Sequence, residues 1–152
     1  MIMDSQLVFG AAQNIFASGA DVNSTNIIDL APHLAANAAY PADTGVGEEV
    51  NIVAKIDTAV TGGTSVQPVL QTDTNTNFAT ALAEFPLGAA IPVAQAIAGK
   101  MVIIRLPAQG LKRYLRIAWR NVGANAAGTG SAYILKEAQN SPLQSAGGFT
   151  VG

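Results

Sequence analysis

Apolar and polar residues alternate over short runs along most of this chain, with the two-residue period of strands. In 49–60, Val50, Ile52, Ala54 and Ile56 alternate with Asn51, Val53, Lys55 and Asp57. In 65–72, Val66, Pro68 and Leu70 share one face, and Gln67, Val69 and Gln71 share the other. Gly62 and Gly63 lie between these runs, which predicts a β-hairpin. Pro68 cannot donate to a ladder and predicts an edge position or a bulge. Strands are also predicted over 24–30, 100–106 and 131–136. The segment 78–87 fits a short helix or a short strand, and 91–93 a short extended piece.

The run 109–120 also fits two periods. As a strand it sets Leu115, Ile117 and Trp119 on one face and Tyr114, Arg116 and Arg120 on the other. As a helix it makes a basic stripe of Lys112, Arg116 and Arg120 beside an apolar stripe of Leu111, Leu115 and Trp119. A basic amphipathic helix points to nucleic acid or a membrane surface. The strand is the better fit, because Tyr114, Ile117, Trp119 and Val122 are strand formers. Gly110 before the run and Gly123 after it suit strand ends. The fold class that follows is all-β, a jelly-roll-like antiparallel β-sandwich over 24–136. Residues 1–23 read as an extended N-terminal arm of the same domain. Its Leu7, Phe9, Ile15 and Phe16 are too apolar to float free and should pack on the domain or on a neighbour. Residues 31–44 read mostly as loop, and 137–152 as a C-terminal tail, flexible or docked.

Composition adds the idea of assembly. The 152 residues suit one domain with a real core. Charged residues are 12%, against about 25% in ordinary domains. The hydrophobic fraction is 49%, but 28 of those residues are alanine. Such a surface suits a chain that covers itself by assembly. A net charge of -2 and a pI near 5.1 disfavour a general polyanion binder. No apolar run approaches the roughly 18 residues of a membrane span. The first residues lack the basic and apolar regions of a signal peptide. The expectation is a soluble protein synthesised in a cytoplasm, with no nucleic-acid or membrane partner. There are no cysteines, which excludes disulfides, thiolate metal sites and cysteine nucleophiles.

Few residues are arranged for chemistry. His33 is the single histidine and has no cysteine or carboxylate pair to complete a metal set. Asp29 lies four residues away, yet no nucleophile elbow is present to make a triad. Glu48 and Glu49 are adjacent and would face opposite ways in a strand. Asp73, Asn75 and Asn77 alternate as in a calcium loop, without its glycine and terminal glutamate. Neither a phosphate-cradling glycine pattern nor a catalytic set is recognisable, so no enzyme activity, metal or cofactor is expected. The outer face of the 109–120 strand is expected to pair with carboxylates of this or another chain, since arginine can hold a carboxylate bidentately.

Several pieces, in order, resemble one family: the jelly-roll capsid cement, or decoration, proteins of tailed bacteriophages. They are Asn26 to Leu30, Gly45 to Glu48 before a long strand, Val69 to Thr72 with the polar loop to Phe78, Ile91 to Val93, and above all Gly110 to Arg116. The likeness covers about 1–136; the tail is longer than the family's usual end, and 31–44 fits it less closely. The resemblance implies a structural virion protein, not an enzyme. Such a protein binds the outer surface of the head, bridges neighbouring major capsid subunits and stabilises the shell against DNA pressure. It also implies a homo-oligomer, a dimer first. On this view Leu7 and Phe9 would insert against a capsid subunit, and Tyr114, Arg116 and Arg120 would touch a sister subunit or the capsid. The other reading of the same sandwich is a carbohydrate- or receptor-binding module of a phage tail, which would want a cluster of exposed aromatics.

Overall fold

The computed structural model describes residues 7–30, 50–80, 82–107 and 110–135. These form ten strands and no α-helix. The strands are β1 (Val8–Asn14), β2 (Val22–Asn23), β3 (Ile28–Asp29), β4 (Asn51–Gly62), β5 (Ser65–Asp73), β6 (Ala83–Pro86), β7 (Ile91–Pro92), β8 (Met101–Arg105), β9 (Tyr114–Val122) and β10 (Asn125–Leu135). A 3-10 turn, Val93–Gln95, follows β7. All pairings are antiparallel. A four-stranded sheet runs β1-β10-β4-β8, and a six-stranded sheet runs β2-β9-β5-β6, with β3 also on β9 and β7 also on β5. If β2–β3 and β6–β7 each count as one interrupted strand, eight positions remain. They pair first with last, second with seventh, third with sixth and fourth with fifth. That is a long hairpin wrapped into two facing sheets, the jelly roll.

The alternation read along the chain puts one face of each strand into the space between the sheets. Phe9, Ile15, Ile52, Ile56, Val66, Leu70, Leu115, Ile117 and Trp119 meet there and are buried. Each such side chain contributes on the order of 1.5–3 kcal/mol through burial. Leu115, Ile117 and Trp119 point inward as the strand reading of 109–120 requires, although the strand itself begins at Tyr114. Asn125, by contrast, is a buried polar residue at the start of β10.

Four expectations are corrected. The runs 49–60 and 65–72 do not form a hairpin. They are consecutive strands in opposite sheets, β4 laddered to β10 and β8, and β5 to β9. The chain crosses the core at Gly62 and Gly63, whose φ values are +71° and +64°. A turn with positive φ at both residues is the usual hairpin signal. Here it serves an arch, because each flanking strand has a longer ladder elsewhere. The connection from β9 to β10 crosses the same gap beside it, and Gly62 pairs with Asn125 while Ser65 pairs with Val122.

The second correction concerns Pro68, which lies in an interior strand without a bulge. Its carbonyl accepts from Leu87 N at 2.9 Å, between β6 and β7. In an antiparallel strand a residue's nitrogen and carbonyl point to the same side, so the missing donor faces the break in the neighbouring strand. The third is 24–30, which holds only the two-residue β3. Ser24 interrupts the edge: its N–H donates to Ile117 O at 2.7 Å, and its Oγ accepts from Ile117 N at 3.1 Å. Asn26 then turns toward β1, donating through N to Phe9 O and through Nδ2 to Val8 O. The fourth is the arm. Residues 8–14 are a strand of the four-stranded sheet rather than an extension. His33, Glu48, Glu49, the loop 31–44 and the tail 137–152 lie outside the described residues.

Two buried asparagines fasten the crossing. Asn121 Nδ2 donates to Trp119 O (2.9 Å), Ile15 O (3.1 Å) and Ala20 O (3.1 Å). Asn125 Nδ2 donates to Asn121 Oδ1 (2.6 Å) and Ser65 O (3.2 Å). Asn125 Oδ1 fills the space that a side chain at Gly63 would need: a Cβ there would lie 1.7 Å from it. Gly63→Ala should therefore destabilise the domain by at least about 2 kcal/mol, from strain and crowding together. Asn125→Ala should cost about 1–3 kcal/mol for the partners it leaves unpaired. Urea unfolding of both variants checks this, and wild-type stability in either would contradict the arrangement.

Candidate functional site

Three of the residues singled out in the sequence, Tyr114, Arg116 and Arg120, lie on the outer face of the six-stranded sheet. Alternation along β9 puts them there, since Leu115, Ile117 and Trp119 take the core side. The register then chooses their neighbours. Arg116 stands opposite Gln71, Arg120 opposite Gln67 and Tyr114 opposite Asp73 on β5; Gln71 stands opposite Glu84 on β6.

These side chains form a polar ladder across the sheet. Arg116 Nε donates to Gln71 Oε1 at 2.7 Å, and Gln71 Nε2 donates to Glu84 Oε1 at 2.7 Å. Arg120 Nη2 donates to both Glu84 oxygens, at 3.0 and 3.1 Å, and Arg120 Nε lies 3.5 Å from Asp21. The Arg116 guanidinium also sits over the Phe78 ring, 4.1 Å from its centroid, a cation–π contact. Phe78 is held at φ +53°, which a bulky residue rarely adopts, in a loop organised by the buried Asp73. Asp73 accepts from Asn75 N and Thr80 N. At the start of β9, Arg113 grips Asp29 bidentately, with both contacts at 2.9 Å.

The charges respond to one another. Glu84 is held below the usual carboxylate range, first by the Gln71 hydrogen bond and then by Arg120, with burial opposing. Arg120 is raised, chiefly by its hydrogen bond to Glu84. Arg113 is raised by its bond to Asp29. Burial lowers Arg116, against the pull of Asp73 and Glu84.

The five residues expected to bind a partner are thus placed in four settings. Leu7 precedes β1 and is 38% exposed. Phe9 is wholly buried in the domain's own core, so it is withdrawn as a residue that inserts into another subunit. Tyr114 is half-buried. Arg116 and Arg120 are engaged with Gln71, Glu84 and Asp21 of their own chain. The strand's outer face does pair with carboxylates, and they belong to this chain. Sequence reading missed Asp21, Gln71, Phe78 and Glu84 as members of the ladder. Alternation alone puts Gln71 on an outer face, but only the pairing of β5 with β6 and β9 reveals its neighbours. The Asp73 loop is likewise a hydrogen-bonded turn, and among the described residues no group of three or more histidine, cysteine or carboxylate side chains is gathered to hold a metal.

A family model described as Bbp16 matches residues 9–134. That stretch runs from the buried Phe9 of β1 to Ile134 of β10, and so takes in both sheets. Among curated proteins none matches the chain.

Because the folded state lowers the Glu84 pKa, Glu84 stabilises the fold fully above its unfolded value, and that contribution fades as pH falls through its folded value. Glu84→Gln should lower stability at neutral and alkaline pH, and the difference from wild type should shrink as pH falls through the folded Glu84 value. Arg120→Ala should cost under about 1 kcal/mol, less at high salt, as expected for a pair open to water. Thermal unfolding across pH and ionic strength checks both; a salt-independent loss in Arg120→Ala would contradict the ion pairing.

Proposed function

The chain belongs to the Bbp16 family, which is phage-related, and from that premise we propose that it is a capsid decoration protein. It is a structural virion component that binds the outer surface of a bacteriophage head and bridges neighbouring major capsid subunits. It acts as a homo-oligomer, a dimer first, and not as an enzyme. The observation that carries this reading is that the family match, 9–134, takes in the whole two-sheet body. The part of the chain akin to a phage family is therefore the part that folds into a jelly roll, an architecture used in viral capsids. Fold alone does not assign function; fold and family together favour a part of the particle.

The physical mechanism is additive. One sandwich offers a modest footprint, but many copies tied to a repeating lattice gain through effective concentration. A rigid body suits this role, because little freedom is lost when it docks. Phe9 is not available for insertion; of the two apolar residues proposed for that role, Leu7 is the exposed one. The sugar-binding alternative is weakened by Trp119, which is 1% exposed and offers no stacking face.

Incubating the purified protein with parent heads that lack it should give co-sedimentation at saturable occupancy. Decorated heads should also release DNA at a higher temperature than bare heads. Failure to sediment with the heads would end this reading. A low-salt mobility shift with duplex DNA should be negative.

A further inference from the structure

One end of the sandwich carries almost no charge. Four connections meet there, from β1 to β2, β4 to β5, β7 to β8 and β9 to β10. Residues 11–20, 58–72, 85–99 and 121–135 contain no Asp, Glu, Lys, Arg or His. The two charges in the connections, Asp21 and Lys100, each come last before a strand, and Asp21 pairs with Arg120. Backbone hydrogen bonds hold the four connections side by side. Gly19 N donates to Gly123 O (2.9 Å), Thr64 N to Val122 O (2.8 Å), Val93 N to Thr64 O (3.0 Å) and Val60 N to Ala96 O (2.8 Å). They therefore make one pinned surface. The two most exposed large apolar side chains among the described residues, Ile97 at 59% and Val122 at 50%, both stand on it. Phe16, half-buried, follows Ile15 at the same end.

The opposite end differs in kind. Asn51 and Asp73 mark it, at the far ends of β4 and β5. Val8 pairs with Tyr133, Asn51 with Leu135 and Asp29 with Tyr114, so Leu7, Leu30, Val50 and Leu135, where the described chain stops or resumes, all lie there. Asp29, Asp73, Arg105, Lys112 and Arg113 are at that end too. The uncharged end is thus described throughout, and charge gathers at the end away from it.

We infer that the uncharged end is where two copies of this chain meet about a twofold axis. In such a contact one patch faces itself, and residues near the axis meet their own copies. Unbalanced charge there would face charge of its own sign, which is costly. A contact with a different protein gains orientation from complementary charge; a surface with none forgoes that gain, and forgoes nothing when it meets itself. Interface centres are also depleted in charged residues. Loops already pinned by backbone bonds lose little freedom on docking. This rests on the homo-oligomer of the decoration reading and adds its surface, and it needs no capsid to be tested.

Sedimentation equilibrium of the unsubstituted protein should show a dimer that does not loosen as salt rises, since no ion pair crosses the contact. Ile97→Asp and Val122→Asp should each weaken the dimer at least about tenfold, because each brings an unpaired carboxylate into the contact. Leu82→Asp, at a 44% exposed position next to β6 and toward the other end, should leave it unchanged. The chain has no cysteine, so an introduced thiol is unique and tests the surface without added charge. A short bis-maleimide should join copies of Ile97→Cys or Val122→Cys and not copies of Leu82→Cys. A dimer that survives both aspartates or loosens with salt, or crosslinking of Leu82→Cys alone, overturns the choice of surface and leaves the dimer standing. A monomeric unsubstituted protein overturns the inference and the homo-oligomer together, while co-sedimentation with heads decides the decoration reading separately.

Discussion

Asn121 and Asn125 stand where the chain twice leaves one sheet for the other, and the topology turns on that corner. Two arches cross the core side by side, Gly62–Gly63 and the turn at Gly123. A Cβ on Gly123 would lie 3.0 Å from the Gly63 Cα, so both backbones need the absence of a side chain to pass this close. The asparagine amides bind backbone carbonyls of Ile15, Ser65 and Trp119, tying the first strand's exit, the start of β5 and the end of β9 to one point. Burial of Phe9, the isoleucines and Trp119 supplies most of the stabilisation. The corner does something else: it decides which strand enters which sheet. The two buried Nδ2 groups and Asn121 Oδ1 are favourable there only with these partners in place, so a different crossing would leave them unsatisfied.

With β5 and β9 paired at the centre of one sheet, the outer polar ladder follows. Their register sets Gln71 beside Arg116, and β6 then delivers Glu84 within reach of Gln71 and Arg120. A chain with few charges has placed three arginines where its own carboxylates, an amide and an aromatic ring hold them. Arginine suits this, since its planar fork can contact a carboxylate through two nitrogens and lie flat on Phe78.

The strands and their inward faces were legible in the sequence because period-two alternation is a local property. Leu115, Ile117 and Trp119 could be assigned to the core from spacing alone, and the all-β sandwich followed from the count of short runs. Pairing was not legible in the same way. The 49–60 and 65–72 runs read as a hairpin because two glycines with positive φ serve a hairpin and an arch equally. Which one forms depends on β10, some sixty residues further on. Pro68 misled for the same reason: its tolerance depends on a gap between β6 and β7 that no local pattern announces. The arm misled because β1 finds its partner only at the far end of the chain. Of the candidate site, Tyr114, Arg116 and Arg120 were found by composition, while Gln71 and Glu84 needed the register.

The wrapped hairpin also has a temporal side. Residue 8 lies beside residue 133, so the first strand has no ladder until nearly the last described residue has been made. Until then β1, with Phe9, and Ile15 just after it lack the strand they pair with. Contacts of such long sequence separation make folding slow. During synthesis β10 must therefore emerge from the ribosome before the sandwich can close, and the apolar β1 is the strand that waits longest for its partner.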